Sequence, residues 1–302
     1  MLQLDFRNVI VFISLAIHAL LLWIMLRYGR KTPGGQAYTA AILAIVGWIF
    51  PMALYRSDIF GQAVLWVRLL YVMASFTSTS FFFFTLVFPD DKKVPRWLEV
   101  FLAIENVLIV LLCFHPTWMI RGVEPMAGRE NIILWGPLYF VYSTHISGFF
   151  LAGFIILFRK MRRYSGVTKT QIKYILGGYF FGSNLAMITN LILPWFGYFE
   201  LNWLGQFFST LVAAFTTYAI LKHKLLNIKL IATEGFILML NFFLFVQLIL
   251  STSGGKFLVN TSVLIAVLAA SYLLIKSVNS EVQRREEITG LAHNLELSNL
   301  RL

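Results

Sequence analysis

Long runs of apolar residues, separated by short polar loops, dominate the chain from residue 8 to residue 276. A transmembrane α-helix needs about 20 mostly apolar residues. The pattern predicts nine such helices. The eighth and ninth, separated only by residues 253–256, are also compatible with a re-entrant hairpin. The predicted spans are residues 8–28, 37–55, 63–88, 98–115, 137–158, 173–195, 203–221, 233–252 and 257–276.

Composition supports a polytopic α-helical membrane protein. Of the 302 residues, 59% are hydrophobic and 13% are charged, whereas soluble domains are about 45–50% apolar and about 25% charged. Because so large an excess of apolar side chains cannot be buried in one globular core, we expect the lipid bilayer to be a partner of this chain. The predicted fold class is all-α, a transmembrane bundle of about nine helices followed by a C-terminal cytoplasmic coiled-coil helix.

The distribution of Lys and Arg predicts the orientation. The polar segments between the spans form two alternating sets. One set carries 19 of the 25 Lys and Arg residues and the other carries 5, and the remaining one, Arg68, lies inside the third span. Since cytoplasmic loops are enriched in Lys and Arg, we expect the N-terminus outside and the C-terminus in the cytoplasm, in a multi-pass protein of the inner (plasma) membrane. The basic residues lie in loops without a nucleic-acid-binding motif, so no nucleic-acid partner is expected. The basic set comprises residues 27–36, 89–97, 159–173, 222–232 and 276–302.

Two charged residues, Arg68 and Glu105, lie inside the predicted third and fourth spans. Charge within a bilayer is costly and suggests a functional role. One interpretation is that Arg68 points inward and reaches the Glu105 carboxylate. The other is that Arg68 extends towards the outer surface while Glu105 is a neutral, hydrogen-bonded acid.

Four uncharged polar residues complete the candidates for ligand binding or signal sensing. His18 and His145 lie in the middle of spans one and five, and Asn184 and Asn190 lie on span six. They are compatible with proton sensing or ligand binding, and equally with hydrogen bonds between neighbouring helices. Two histidines without Cys, Asp or Glu at ligand spacing make a poor metal site. A lone cysteine, Cys113, excludes a cysteine cluster, so no metal or cofactor is expected.

The composition changes after Lys276. Residues 277–302 contain no Pro and one Gly, Gly290, which costs about 1 kcal/mol relative to Ala in a helix interior. Apolar residues at a and d spacing over about two heptads indicate a parallel coiled coil continuing from span nine. The alternative is one amphipathic helix lying on the membrane. The seam residues are Ile288, Leu291, Leu295 and Leu302.

Three stretches resemble the N-terminal multi-helix sensor regions of bacterial membrane histidine kinases. Residues 218–228, which read YAILKHKLLNI, are similar to the Tyr-Ala-Ile…Leu-Phe-Asp-Ile signature that closes the seven-helix core of that family, with Asn227 in place of Asp. Residues 233–276 are similar to an extra helix pair in one branch. Residues 281–302 are similar to the signalling helix that leads to the dimerisation and phosphoacceptor domain.

The resemblance implies three parts. These are a seven-helix transmembrane sensor core at 1–232, a two-helix transmembrane hairpin at 233–276 and a cytoplasmic signalling coiled coil at 277–302. It implies a sensor of a two-component system that forms a homodimer through its C-terminal helix and acts on a downstream kinase domain and response regulator.

No catalytic residue is expected in this chain itself. His293 is not followed by the Leu-Arg-Thr-Pro of a phosphoacceptor box, and the sequence has no nucleotide-binding glycine motif. The alternative function is a small-molecule membrane transporter, or a membrane scaffold with a dimerising tail. An uninterrupted helix from the last span into the tail separates the two interpretations, because a transporter has no need of it.

The predicted topology can be tested by labelling single cysteines in a Cys113→Ser background. We expect cysteines placed in loops 27–36, 89–97 and 159–173 to resist an impermeant thiol reagent in intact cells, because the basic asymmetry places these loops in the cytoplasm. A cysteine at residue 124 is the control that should be labelled. Labelling from outside at residue 165 would contradict the topology.

Overall fold

A computed structural model describes residues 5–29, 32–57, 61–126, 130–221 and 254–299, together with residues 237, 240, 241, 244 and 248. The chain divides into two compact units, Met1–His223 and Lys224–Leu302. The three-part division predicted from the sequence remains a prediction.

The described residues of the first unit form seven helices and one β-hairpin. Two helices continue into a wider, π-helical turn. Met25–Gly29 extends α1, and Ile188–Ile192 extends α6 and is followed by a short α-helical turn, Leu193–Trp195. The helices are α1 (Phe6–Ile24), α2 (Pro33–Arg56), α3 (Ala63–Val87), α4 (Arg96–Phe114), α5 (Tyr139–Arg163), α6 (Gly166–Met187) and α7 (Leu204–Leu221).

Seven helices of the described residues are long and apolar enough to cross a membrane. The qualifying apolar stretch of α7, Leu204–Ala213, is shorter. The predicted eighth span falls almost entirely outside the described residues, so a total of nine spans is not confirmed. The seven are Phe6–Arg27, Pro33–Arg56, Ala63–Val87, Arg96–Phe114, Tyr139–Arg163, Gly166–Trp195 and Phe257–Val278.

A two-stranded antiparallel hairpin interrupts the helical pattern and was not predicted. Strand β1 (Ile120–Glu124) pairs with β2 (Ile132–Trp135), with a register shift between Ile120 and Gly122. The side chains of Ile120 and Ile133 are buried. The hairpin therefore packs against the bundle rather than forming a core of its own. The described residues otherwise form helices and loops, and the all-α prediction is confirmed.

Small residues allow α6 and α7 to approach closely. A Cβ atom added to Gly182 would lie 2.6 Å from Val212 Cγ2 and 2.9 Å from the Phe208 carbonyl oxygen. In a membrane, where lipid tails are as apolar as leucine, close backbone approach of this kind is a main source of helix association.

The described residues of the second unit include a long helix, α8 (Gly254–Asn299), of 46 residues. Within this unit Asn241 Nδ2 donates to Ser271 Oγ at 2.9 Å, which links the predicted eighth span to α8. The predicted uninterrupted passage from the last apolar run into the tail is confirmed. Ile288, Gly290, Leu291 and Leu295 lie on α8 and Leu302 lies outside the described residues, so the coiled coil remains a prediction.

Candidate functional site

A cavity of about 70 Å³, which we call the central cavity, lies among α2, α3, α5, α6 and α7. A cavity of more than about 10–15 Å³ is large enough to hold water, so the central cavity is not a mere packing defect. None of the described residues that line it is charged. Aromatic rings and a few hydroxyl and amide groups form much of its wall, among them Trp48, Tyr71, Tyr142, Phe150, Tyr179, Ser183, Asn190 and Ser209.

A break in the helix hydrogen bonding lies beside the central cavity. In an α-helix each N–H donates to the carbonyl four residues earlier, and proline has no N–H, so Pro194 leaves the Asn190 carbonyl without its helix donor. Tyr71 Oη donates to that carbonyl at 3.2 Å. Tyr139 Oη donates to the next one, of Leu191, at 2.9 Å. Side chains from α3 and α5 thus donate to two consecutive carbonyls of the π-helical turn.

An aromatic cluster of Tyr71, Trp135, Tyr139 and Tyr142 joins this turn to the β-hairpin. The Trp135 ring stacks on Tyr139 with 4.0 Å between centroids and meets Tyr71 edge-on at 5.4 Å. Trp135 Nε1 donates to the Pro194 carbonyl at 3.0 Å, and Tyr142 Oη donates to the Tyr71 carbonyl at 2.7 Å. The hairpin, through Trp135, therefore contacts the residues that shape the central cavity.

Ion pairs hold the hairpin to the first two helices. The Glu130 carboxylate, two residues before β2, accepts hydrogen bonds from Arg7 at 3.0 Å and from Arg56 at 2.5 Å. Arg56 Nε also donates to Asn8 Oδ1 at 2.7 Å. The Arg56 side chain is 7% exposed, so Glu130 compensates a largely buried charge and fixes the start of β2 against α1 and α2.

The structure places Glu105 beside His145 and not beside Arg68. The Glu105 carboxylate on α4 contacts His145 Nδ1 on α5. The other ring nitrogen, Nε2, lies 2.8 Å from Ser75 Oγ on α3. This chain of three polar groups joins three helices. Since a carboxylate and an imidazole in contact neutralise each other by ion pairing or by sharing a proton, the arrangement reduces the cost of placing them in the membrane.

Arg68 instead contacts the hairpin. One of its terminal nitrogens donates to the Ile120 carbonyl at 3.3 Å, while its Nε has no hydrogen-bond partner among the described residues. The difference in depth explains why the suggested Arg68–Glu105 pair does not form. At 1.5 Å per residue, Arg68 lies about 8 Å from the N-terminal end of α3, and Glu105 about 14 Å from the C-terminal end of α4, at the same end of the bundle.

The remaining predicted residues are separated from one another. His18 is buried, with Nδ1 2.8 Å from the Ser14 carbonyl and Nε2 3.2 Å from the Ser209 carbonyl, so it joins α1 to α7. Asn184 donates to the Phe180 carbonyl of its own helix at 2.7 Å. Asn190 alone among the six candidates lines the central cavity. The two histidines thus have different partners and form no shared site.

Several residues of the site were not predicted from the sequence. Tyr71, Tyr142 and Trp135 resemble ordinary interfacial or core aromatics, and Ser75 is one serine in a run of small polar residues. The available signal was Pro194, because a proline near the end of an apolar span frees a carbonyl that must find a donor inside the protein.

Comparison with known proteins shows the family to which this chain belongs. Residues 9–229, which include α1 from its fourth residue and the whole of α2 to α7, match the family described as the N-terminal 7TM region of histidine kinase. The chain belongs to this family. Among curated proteins it is similar to the autoinducer 1 sensor kinase/phosphatase LuxN of Vibrio campbellii and of Vibrio harveyi, 22% identical over 205 residues in each case. The match covers 65% of this chain and 24% of each relative.

Membership in the histidine kinase 7TM family confirms the predicted resemblance and identifies the chain as an integral membrane module. The chain spans about a quarter of the length of the curated relatives it matches. The central cavity lies wholly within the residues that match the family.

The Glu105–His145 contact predicts an unusual pattern of mutant stabilities. His145→Leu should lower the thermal midpoint of the detergent-purified protein, because it leaves Glu105 without a partner at a cost of about 3 kcal/mol. Glu105→Leu with His145→Leu should recover most of the loss. Arg68→Leu with Glu105→Leu is the control pair, and its two effects should add. Additive losses for Glu105 and His145 would contradict the pairing.

Proposed function

We propose that this chain is the sensor module of a bacterial two-component histidine kinase, and that its signal is a small, uncharged, mostly apolar molecule bound in the central cavity. Kinase activity, a response regulator and a homodimer belong to the proposal for the whole protein. The family supports the sensor role, and the relatives named as autoinducer 1 sensor kinase/phosphatases support a diffusible small molecule as the signal.

The central cavity carries the proposal. Ligand pockets are mostly apolar, with a few polar groups that fix orientation, and this one offers Ser183, Asn190 and Ser209 between aromatic walls. A charged ligand would have no counter-ion among the described lining residues. An uncharged molecule also partitions into the bilayer, from which a cavity between helices can be reached.

The size of the cavity supports coupling between binding and movement. Ligand pockets usually measure about 300–1,000 Å³, well above the 70 Å³ of the central cavity. A signal molecule must therefore widen it by displacing its walls. The Ile188–Ile192 turn is the candidate for that movement, since side-chain hydroxyls replace part of its regular helix bonding.

The orientation follows from the distribution of basic residues. We propose that the β-hairpin lies outside the cell and that α8 projects into the cytoplasm, because the basic loops lie at the opposite end of the bundle from residues 116–136. In this orientation the hairpin and its Glu130 ion pairs cover the outer end of the cavity-forming helices.

The long α8 helix supports transmission to a kinase. The part beyond Lys276 that the structure describes, up to Asn299, is about 35 Å long at 1.5 Å per residue. A rotation or shift of its membrane end would reach well beyond the membrane surface. Pairing of two such helices along Ile288, Leu291 and Leu295 would carry it as a coiled coil.

Filling the central cavity tests the binding site. In the full-length kinase, Ala186→Phe should abolish the change in autophosphorylation on adding autoinducer 1, or an extract of the host's own culture medium, with basal output retained. The reason is that Ala186 lines the cavity. Ala103→Phe is the matched control, because Ala103 is exposed on α4. An unchanged response of Ala186→Phe would contradict the cavity as the site.

Gly290 tests transmission through α8. Gly290→Pro should uncouple kinase output from the signal without affecting membrane insertion, because proline breaks a helix at a cost of about 3 kcal/mol. Gly290→Ala should stiffen the helix and shift the resting output. Autophosphorylation of the full-length protein with and without signal is the measurement. If both variants behave as wild type, α8 is only a tether.

A further inference from the structure

A groove of about 600 Å³ lies between α5 and α6, at the end of the bundle where α5 ends and α6 begins. We call it the basic groove. Apolar side chains form its walls, with three cations beside them. The wall includes Phe154, Ile155, Phe158, Leu176 and Phe180, and the cations are Arg159, Arg162 and Lys173.

No described acidic residue neutralises the three cations. All three are exposed, and none forms an ion pair among the described residues. The sequence contains no Asp or Glu from residue 157 to residue 199. The Arg162 guanidinium lies 4.4 Å from the centre of the Phe158 ring, so it is held against the wall of the groove. The groove therefore presents uncompensated positive charge next to an apolar surface.

The neighbouring Lys160, in contrast, has partners within the protein. Its Nζ donates to the carbonyls of Thr85 at 2.9 Å, Leu86 at 3.1 Å and Phe88 at 2.5 Å, and lies 3.9 Å from Asp90 Oδ2. Lys160 thus caps the C-terminal end of α3. The groove cations have no comparable partners in the described part of the chain, so a structural explanation of this kind does not extend to them.

We propose that the basic groove binds an anionic phospholipid, with its phosphate at Arg159, Arg162 and Lys173 and one acyl chain along Phe154, Phe158 and Phe180. Basic pockets between transmembrane helices bind anionic head groups, and the planar guanidinium group suits phosphate oxygens. The cations lie near the C-terminal end of α5 and the N-terminal end of α6, and the ends of a spanning helix are where lipid head groups lie. The exposed ring faces continue from there towards the hydrocarbon region, with Phe158 42% and Phe180 48% exposed.

The apolar wall is what favours a lipid over a soluble anion. Inorganic phosphate would use the cations and leave the aromatic surface uncovered, whereas a phospholipid engages both. Gly177 allows the apolar wall to be tested separately from the cations. It lines the groove, and a Cβ atom added to it meets nothing within 4 Å. A larger side chain at this position would occupy the path of the acyl chain without changing any charge.

The first test compares two charge-matched double variants of the purified chain in neutral detergent. Binding of phosphatidylglycerol, against phosphatidylcholine with the same acyl chains, is measured by native mass spectrometry. Arg159→Gln with Lys173→Gln should weaken phosphatidylglycerol binding by about 25-fold, at about five-fold for each cation. Arg163→Gln with Lys169→Gln removes the same two charges from the same segment but outside the groove, and should change binding by less than about five-fold.

The second test uses Gly177→Leu, which keeps every charge. It should weaken phosphatidylglycerol binding by about ten-fold or more, and an excess of inorganic phosphate at constant ionic strength should not displace the lipid from the wild-type chain. Equal losses in the two double variants would overturn the proposal in favour of diffuse surface charge. Wild-type binding by Gly177→Leu, or displacement by inorganic phosphate, would overturn it in favour of a soluble-anion site.

Discussion

The constraint on which the first unit depends is that backbone polar groups within a bilayer must be satisfied inside the protein. Pro194 creates the sharpest instance, because it removes the donor that the Asn190 carbonyl would otherwise have. Tyr71 and Tyr139 supply hydroxyl donors to two consecutive carbonyls of that turn. Their rings in turn fix Trp135 and with it the hairpin. Side chains from α3, α5 and β2 thus meet around this turn, and the Tyr71 hydroxyl takes the place of the N–H that Pro194 lacks.

Polar side chains elsewhere join helices that apolar contact alone would hold weakly. Glu105 reaches from α4 to His145 on α5, and Thr79 on α3 donates to Asn106 Oδ1 on α4 at 3.2 Å. Two polar links therefore fasten a helix whose outward residues are mostly exposed. The exposed residues of α4 are Val100, Phe101, Ile104, Val107, Leu108 and Leu111, with 49–59% of each residue exposed. Lipid covers this face equally well in any rotation of α4, so the polar links fix which rotation is adopted.

The sequence was sufficient for those features that depend on one segment at a time. Hydropathy located seven membrane-length helices, and the absence of a breaker predicted that the last apolar run continues into the tail. Features that join distant segments were not predictable in this way. Arg68 and Glu105 were considered together because both are charged, but their depths differ. His145, the partner that Glu105 contacts, is 40 residues away on another helix.

The hairpin was missed for a different reason. The segment between α4 and α5 is too short for its own core, and its strands are four and five residues long. Their stability comes from burial of Ile120 and Ile133 against the bundle and from Glu130 pairing with Arg7 and Arg56. Those partners lie in α1 and at the end of α2, and no local pattern in residues 116–136 refers to them.

In the proposed function, the location of the cavity at a helix break has a physical consequence. A ligand that widens a cavity between regular helices must separate well-packed side chains along their length, because packed interiors deform little. Beside Ile188–Ile192 the Tyr71 and Tyr139 hydroxyls already donate to two backbone carbonyls, and a ligand hydroxyl can donate to one of these carbonyls instead while the number of hydrogen bonds is kept. The free-energy cost of moving this turn is therefore smaller than that of bending a regular helix. Binding energy can then be used to shift α6 against α7, at the close contact around Gly182, rather than to break backbone bonds.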